Sequence, residues 1–223
     1  MKVSEALDSR LSVRRFLPTP VAPETIRTIL ETAKRAPSGG NLQPWHVYVA
    51  TGDALEAIKT LIRDRLPDAP KGEGTEYHIY PPDLTEPYRT RRWRVGEQLY
   101  ASIGVERENK IGRLVQFAQN FEFFGAPAAL FFCIDRQMQQ GQWADLGMFM
   151  QSIMLLAREY GLDTCAQEAW AIWYKSLGEH LRIPDHLMLF AGMALGHRDP
   201  EAAINRFRSE RAPLEEFATF LGG

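Results

Sequence analysis

The segment that decides the fold is Ala33 to Ala50, AKRAPSGGNLQPWHVYVA. Upstream, Ile26 to Lys34 carries a helical stripe, and Pro37-Ser38-Gly39-Gly40-Asn41 stops it, since adjacent glycines and an amide side chain favour tight, left-handed backbone. Downstream, Trp45-His46-Val47-Tyr48-Val49 mixes aromatic and β-branched residues as a buried-type strand does. A helix, a polar turn and a strand entered at Gln43-Pro44 expose backbone N–H groups beside Ser38, Asn41 and Gln43. Such a place suits a flat ligand with several polar edges, although an ordinary helix-to-strand connection uses many of the same residues.

Moving toward the N-terminus, Pro23 opens the helix that enters this turn, at a position where its missing N–H is tolerated. Before it, Val3 to Leu11 predicts a short helix with Val3, Leu7 and Leu11 on one face, followed by an extended arm ahead of Pro18 and Pro20. In an extended arm Arg10, Ser12 and Arg14 share one side, and two guanidinium forks with a hydroxyl suit phosphate or carboxylate. A solvated charge group is the competing reading.

Toward the C-terminus, Ala54–Leu66 predicts a helix, broken by the Pro67–Gly74 stretch. Residues 75–113 differ from the rest: Pro81, Pro82 and Pro87, several tyrosines and Arg89, Arg91, Arg92 and Arg94 surround a helix expected over Trp93–Tyr100. This excursion reads as a substrate lid carrying Tyr88, Arg89, Arg92 and Trp93. Ile111–Asn120 resumes a helix; Ala128–Ile134 and Leu187–Gly196 are continuous apolar runs suited to central strands. Gly141–Tyr160 is a helix apolar almost all round, fit for a core or a subunit interface, and Gly161 ends it before a strand begins at Leu162–Cys165. Residues 198–223 read as a C-terminal arm that wraps a neighbouring subunit.

The 223 residues, 45% of them hydrophobic, suffice for one substantial domain spanning 1–223. With 26 basic and 28 acidic residues no global field favours nucleic acid. Cys133 and Cys165 lie in apolar runs far from ligand spacing, so core thiols in a reducing compartment are expected, with no metal site. No signal-like segment or run of about 18 apolar residues occurs, which predicts a cytoplasmic protein without membrane association. There is no esterase elbow, HExxH helix, phosphate-binding P-loop or dinucleotide GxGxxG, and the five histidines are scattered.

Arg10-Leu11-Ser12-Val13-Arg14-Arg15-Phe16 and Ala36-Pro37-Ser38-Gly39-Gly40-Asn41-Leu42-Gln43-Pro44-Trp45 resemble the opening signatures of the FMN-dependent nitroreductase family. The likeness continues through Gly161–Trp170, Gly192–Gly196 and Arg211, and the 80–100 excursion with NFEFFGAP and GQWADLGMFMQS resembles the nitrobenzoate and chloronitrobenzene reductase branch. The resemblance implies an α+β nitroreductase-like fold, a central mixed β-sheet surrounded by helices, in an intertwined homodimer with FMN at the interface. By the same resemblance Arg10, Ser12, Arg14 and Arg211 hold the FMN phosphate; Asn41 and Gln43 address the flavin or ribityl chain. Ser38 and Gly39 contribute from the partner, and Gln119 or Asn120 reaches the pyrimidine edge. The turn at Gln167 and Glu168 covers the ring, with the Glu168 backbone N–H toward flavin N5 and no side-chain catalyst. The implied activity is ping-pong reduction of nitroaromatic compounds by NADH or NADPH. Competing readings are a quinone, flavin or enone reductase, a halotyrosine deiodinase and a noncatalytic FMN-binding dimer.

Overall fold

A computed structural model describes residues 1–222. Four strands form the sheet: β1 (Trp45–Thr51), β2 (Ala128–Asp135), β3 (Asp163–Gln167) and β4 (Leu187–Gly196), in the order β1-β2-β4-β3. All three ladders are antiparallel, with Trp45 opposite Ile134, Ala128 opposite Leu195 and Cys165 opposite Ala194. The parallel component of the expected mixed sheet is confined to a bridge between Ser12 and Thr164, outside β3's pairing with β4.

Alternation along β2 sends side chains to two cores. Phe131 and Cys133 join Phe121, Phe123, Trp170 and Trp173 on one face, with Leu55, Ile58 and Ile62 of α3 (Gly52–Arg65). Leu130, Phe132 and Ile134 face the other way, with Ile26 and Ile29 of α2 (Pro23–Ala33) and Leu146, Phe149 and Ile153 of α6 (Gln140–Glu159). Two covered faces explain why β2 and β4 read as unbroken apolar runs. Gly192 in β4 leaves room for the Trp170 indole, which a Cβ there would approach to 2.4 Å.

The remaining helices are α1 (Val3–Ser9), α4 (Tyr88–Ala101), α5 (Lys110–Ala118) and α7 (Tyr174–Leu181). Several expectations need correction. Helix α1 stops at Ser9 and buries Ala6, while Val3 and Leu7 of the expected stripe lie exposed. Strand β1 is an edge strand with His46 and Val49 exposed, because among the described residues only β2 pairs with it. Helix α4 starts directly after Pro87, five residues before the expected Trp93, and neither α4 nor α5 buries a single residue.

Candidate active site

Three chain segments meet at the open edge of β3. The arm after α1 is pinned by Val13 N–H donating to Thr164 O at 3.0 Å and by the Ser12–Thr164 bridge. Arg14 N–H donates to Asn205 Oδ1 at 2.9 Å, which ties the arm to the C-terminal segment. The result is a cleft of about 110 Å³ lined by Arg10, Ser12 and Arg14 from the arm and by Arg208, Ser209 and Arg211 from the far end of the chain.

The electrostatics of this cleft are one-sided. Burial, and then the charges of Arg211 and Arg208, lower the Arg10 pKa below the usual arginine range. Among the described residues no carboxylate pairs with Arg10, Arg14, Arg208 or Arg211. Their contacts are to neutral oxygens: Arg14 to Ser12 O at 3.2 Å, and Arg211 to Ser209 Oγ and Glu210 O, each at 2.8 Å. Converging cations without counter-charges are stabilised by an anion with several acceptor oxygens. The family resemblance assigns Arg10, Ser12, Arg14 and Arg211 to this cleft; Arg208, in the run Arg206, Arg208, Arg211, is an addition from the structure.

The Ser38–Gln43 turn stands elsewhere. Gly40, Asn41 and Gln43 have φ of 59°, 56° and 51°, the left-handed backbone expected of the glycine and amide residues. The turn supports itself: Gln43 N–H donates to Ser38 Oγ at 3.0 Å, and Gln43 Nε2 to Asn41 O at 3.2 Å. Gly39 N–H donates to Asp145 Oδ2 at 3.1 Å, which docks the turn near the start of α6. The arm carrying Arg10 is held at the other end of that helix, where Arg158 Nε donates to Ser9 Oγ at 3.1 Å. At about 1.5 Å of rise per residue, Asp145 and Arg158 lie roughly 20 Å apart along the axis. Within one chain the turn and the arginine cleft are therefore separated by most of α6.

The β3 exit joins two other predicted residues. Gln167 Nε2 donates to Asn120 O at 2.8 Å and to Asn120 Oδ1 at 3.2 Å, while Gln167 Oε1 is buried without a partner among the described residues. Gln119 begins the 3₁₀ segment that carries Asn120 and is half-buried. Glu168 follows in the next 3₁₀ turn, and burial raises its carboxyl above the ordinary glutamate range. Tyr77, which the sequence reading passed over, donates to Phe190 O at 2.6 Å and stacks on Phe190; burial and then the Glu168 charge raise its hydroxyl pKa. Glu122 pairs through both carboxylate oxygens with Arg63 at 2.9 Å, which offsets its negative charge.

Of the residues expected to form a lid, Tyr88 and Trp93 are exposed, Arg89 pairs with Glu86 at 2.8 Å, and Arg92 lies 4.0 Å above the Tyr80 ring. Tyr80, Arg89, Arg92, Trp93 and Phe117 line an open cavity of about 790 Å³. A second cavity of about 570 Å³ runs between α4 and Arg211. Polar contacts clasp α4 to the C-terminal segment there: Arg91 to Glu216, Arg94 to Glu210 at 3.4 Å and Gln98 to Glu210 at 3.1 Å. No group of histidine, cysteine or carboxylate side chains among the described residues could hold a metal ion.

An arginine cleft built from two distant chain segments and, across α6 from it, a left-handed polar turn sit on a helix-flanked antiparallel sheet. The profile of the Nitroreductase family covers residues 7–197. This chain belongs to the Nitroreductase family. The chloronitrobenzene nitroreductase of Comamonas testosteroni is 39% identical over 219 residues, covering 98% of this chain and 96% of that protein. The 4-nitrobenzoate reductase of Pseudomonas putida is 36% identical over 214 residues, 96% of this chain and 93% of that one. Among solved structures, the FMN and NADPH-dependent nitroreductase NfnB from Sphigopyxis sp. strain HMH superposes with a TM-score of 0.97 at 45% identity over 100% of both chains. The NfnB of Mycobacterium smegmatis in complex with NADPH gives 0.92 at 26% identity, covering 99% of this chain and 100% of that one.

Proposed function

We propose that the chain is an FMN-dependent NAD(P)H oxidoreductase that reduces nitroaromatic compounds, nitrobenzoates among them, through nitroso to hydroxylamino products. The observation that carries this reading is the cleft of four arginines without carboxylate partners, which fits a dianionic phosphate ester, in a chain that matches nitroaromatic reductases along nearly its whole length. FMN, when bound, supplies the hydride relay between the nicotinamide donor and the acceptor.

The protein's own task is then to bind, orient and exclude. Arg10, Arg14, Arg208 and Arg211 neutralise the phosphate, Ser12 donates its hydroxyl, and each charge-assisted hydrogen bond contributes about 1.5–3 kcal/mol. Asn120 and Gln167, already joined to each other, would hold the pyrimidine edge, together with Gln119. The Glu168 backbone N–H would offer a donor to the flavin edge that exchanges hydride, and burial raises the pKa of the carboxyl on the same residue. Tyr88, Arg89, Arg92 and Trp93 form a cover whose arginines attract an anionic aromatic.

Ser38, Gly39, Asn41 and Gln43 serve a cleft other than their own chain's, because α6 separates the two. A homodimer in which each turn faces the partner's arginine cleft completes both sites. The exposed apolar residues are those such a pairing needs: Val3 and Leu7 on α1, Met148 on α6, and Leu214, Phe217, Phe220 and Leu221 on the arm. Two free, buried cysteines suit a reducing cytoplasm.

The test is turnover of the FMN-loaded protein with NADH and NADPH against 4-nitrobenzoate, nitrobenzene, 1-chloro-4-nitrobenzene and a benzoquinone. Accumulation of hydroxylamino product, at a kcat/KM above that for quinone reduction, supports the proposal. A quinone preference with no nitro reduction overturns the acceptor assignment. Sedimentation equilibrium of the same sample gives a dimer mass, and a monomer that turns over would overturn the shared site.

A further inference from the structure

The arginines of the cleft are half-buried or exposed, yet the backbone beneath them is held by a buried ionic group that the function above does not use. Asp163 opens β3 with its side chain only 3% exposed. Its Oδ1 accepts from Arg158 Nη1 at 2.8 Å and from Arg198 Nη2 at 2.6 Å, and its Oδ2 from Arg198 Nε at 2.8 Å. Both arginines continue to one residue, Ser9: Arg158 Nε donates to Ser9 Oγ at 3.1 Å, and Arg198 Nη2 to Ser9 O at 3.1 Å.

Ser9 O belongs to the peptide unit that contains the nitrogen of Arg10. Because that unit is planar, fixing its oxygen fixes the plane from which the Arg10 side chain departs. The next residue of β3, Thr164, holds the other end of the same short arm through Ser12 and Val13. Two consecutive residues of one strand therefore set both ends of the Arg10–Val13 segment.

We propose that Asp163 is a positioning residue for the phosphate cleft: through Arg158 and Arg198 it presets Arg10 in the anion-binding arrangement before any phosphate arrives. This rests on the reading of the cleft as the seat of the FMN phosphate. The physical need is plain, since Arg10, Arg208 and Arg211 are like charges gathered at one cleft and repel one another when no phosphate lies between them. Replacing the carboxylate by an amide leaves two half-buried arginines facing a neutral group and frees them to abandon Ser9. A preset site binds more tightly because less ordering remains to be done on binding.

The experiment is titration of the flavin-stripped full chain with FMN and, separately, with riboflavin, which lacks the phosphate. Wild type is compared with Asp163→Asn and with Arg198→Gln, the latter removing the more exposed arm of the network. In wild type FMN binds more tightly than riboflavin. In Asp163→Asn the FMN dissociation constant rises about tenfold and that of riboflavin changes by less than about twofold. Arg198→Gln gives the same selective loss, and it carries the test alone if the buried amide prevents folding. A merely structural role would weaken both ligands alike, and that result, or unchanged binding of both, overturns the proposal. Equal wild-type affinity for FMN and riboflavin would instead overturn the phosphate assignment of the cleft, and this proposal with it.

Discussion

The arginine cleft and the α4–α5 excursion are both rich in arginine, and they are built in opposite ways. Arg10, Ser12 and Arg14 hang from backbone that is hydrogen-bonded to β3, to Asn205 and, through Ser9, to a buried ion network. Arg89, Arg91, Arg92 and Arg94 stand on a helix with no buried residue, joined to the rest mainly by side-chain contacts to the arm. A charged group fixed from below can meet a ligand of set geometry, such as a phosphate. One fixed only at its tip can follow ligands of different shape, which suits the acceptor side of a reductase. Exposed ion pairs of the second kind contribute about 0–1 kcal/mol each, so the excursion can open at little cost.

The sharpest way to break this contrast is to exchange core and excursion tryptophans. Trp170→Ala, at an indole wedged between Phe123 and Gly192, is expected to lower stability by about 3–5 kcal/mol in chemical denaturation. Trp93→Ala, at a residue 54% exposed, should stay within about 0.5 kcal/mol while changing KM for nitroaromatic acceptors. A large stability loss at Trp93 would mean that the excursion is as firmly packed as the sheet. Next in size, Arg14→Ala removes a phosphate fork and should weaken FMN binding by about 1.5–3 kcal/mol, read by fluorescence titration. Arg92→Ala is expected to leave FMN binding unchanged and to raise KM for 4-nitrobenzoate more than for nitrobenzene.

A smaller effect concerns pH. Burial raises the folded-state pKa of Glu168, so its burial costs no stability below the unfolded value of about 4.3 and increasingly costs stability as pH rises through the folded value. The stability of Glu168→Gln relative to wild type should therefore increase from about pH 4 toward neutrality in thermal melts, with flavin reduction largely preserved. A severe loss of reduction with FMN still bound would give the carboxyl a chemical role. Smallest of all, both thiols should resist alkylation in the native protein at neutral pH, since burial pushes Cys133 up to about 12 and raises Cys165 as well.

The central strands, the α6 helix and the grouping of Arg10, Ser12 and Arg14 were legible because each depends on local pattern: an apolar run, a helical stripe, polar residues two apart. The left-handed turn was legible because Gly40 and Asn41 tolerate positive φ. What escaped depends on distant partners. Nothing in Asp163 or Asn205 announces that they tie the N-terminal arm to β3 and the C-terminal segment, since those contacts span up to 191 residues. The edge position of β1 was also hidden, because Trp45–Val49 has the composition of a covered strand and its exposure follows only from sheet order. Likewise, the apolar Val3 and Leu7 face outward within one chain, where a stripe alone suggested an inner face.

The central claim is that this chain holds FMN and passes electrons through it from a nicotinamide to a nitroaromatic acceptor. Anaerobic stopped-flow absorbance of the FMN-loaded protein tests it most directly, with NADH or NADPH in the first mix and 4-nitrobenzoate in the second. The account predicts that the oxidised-flavin band bleaches with at least one donor and returns on adding the acceptor. A band that persists with both donors, in protein that retains its FMN, would contradict it.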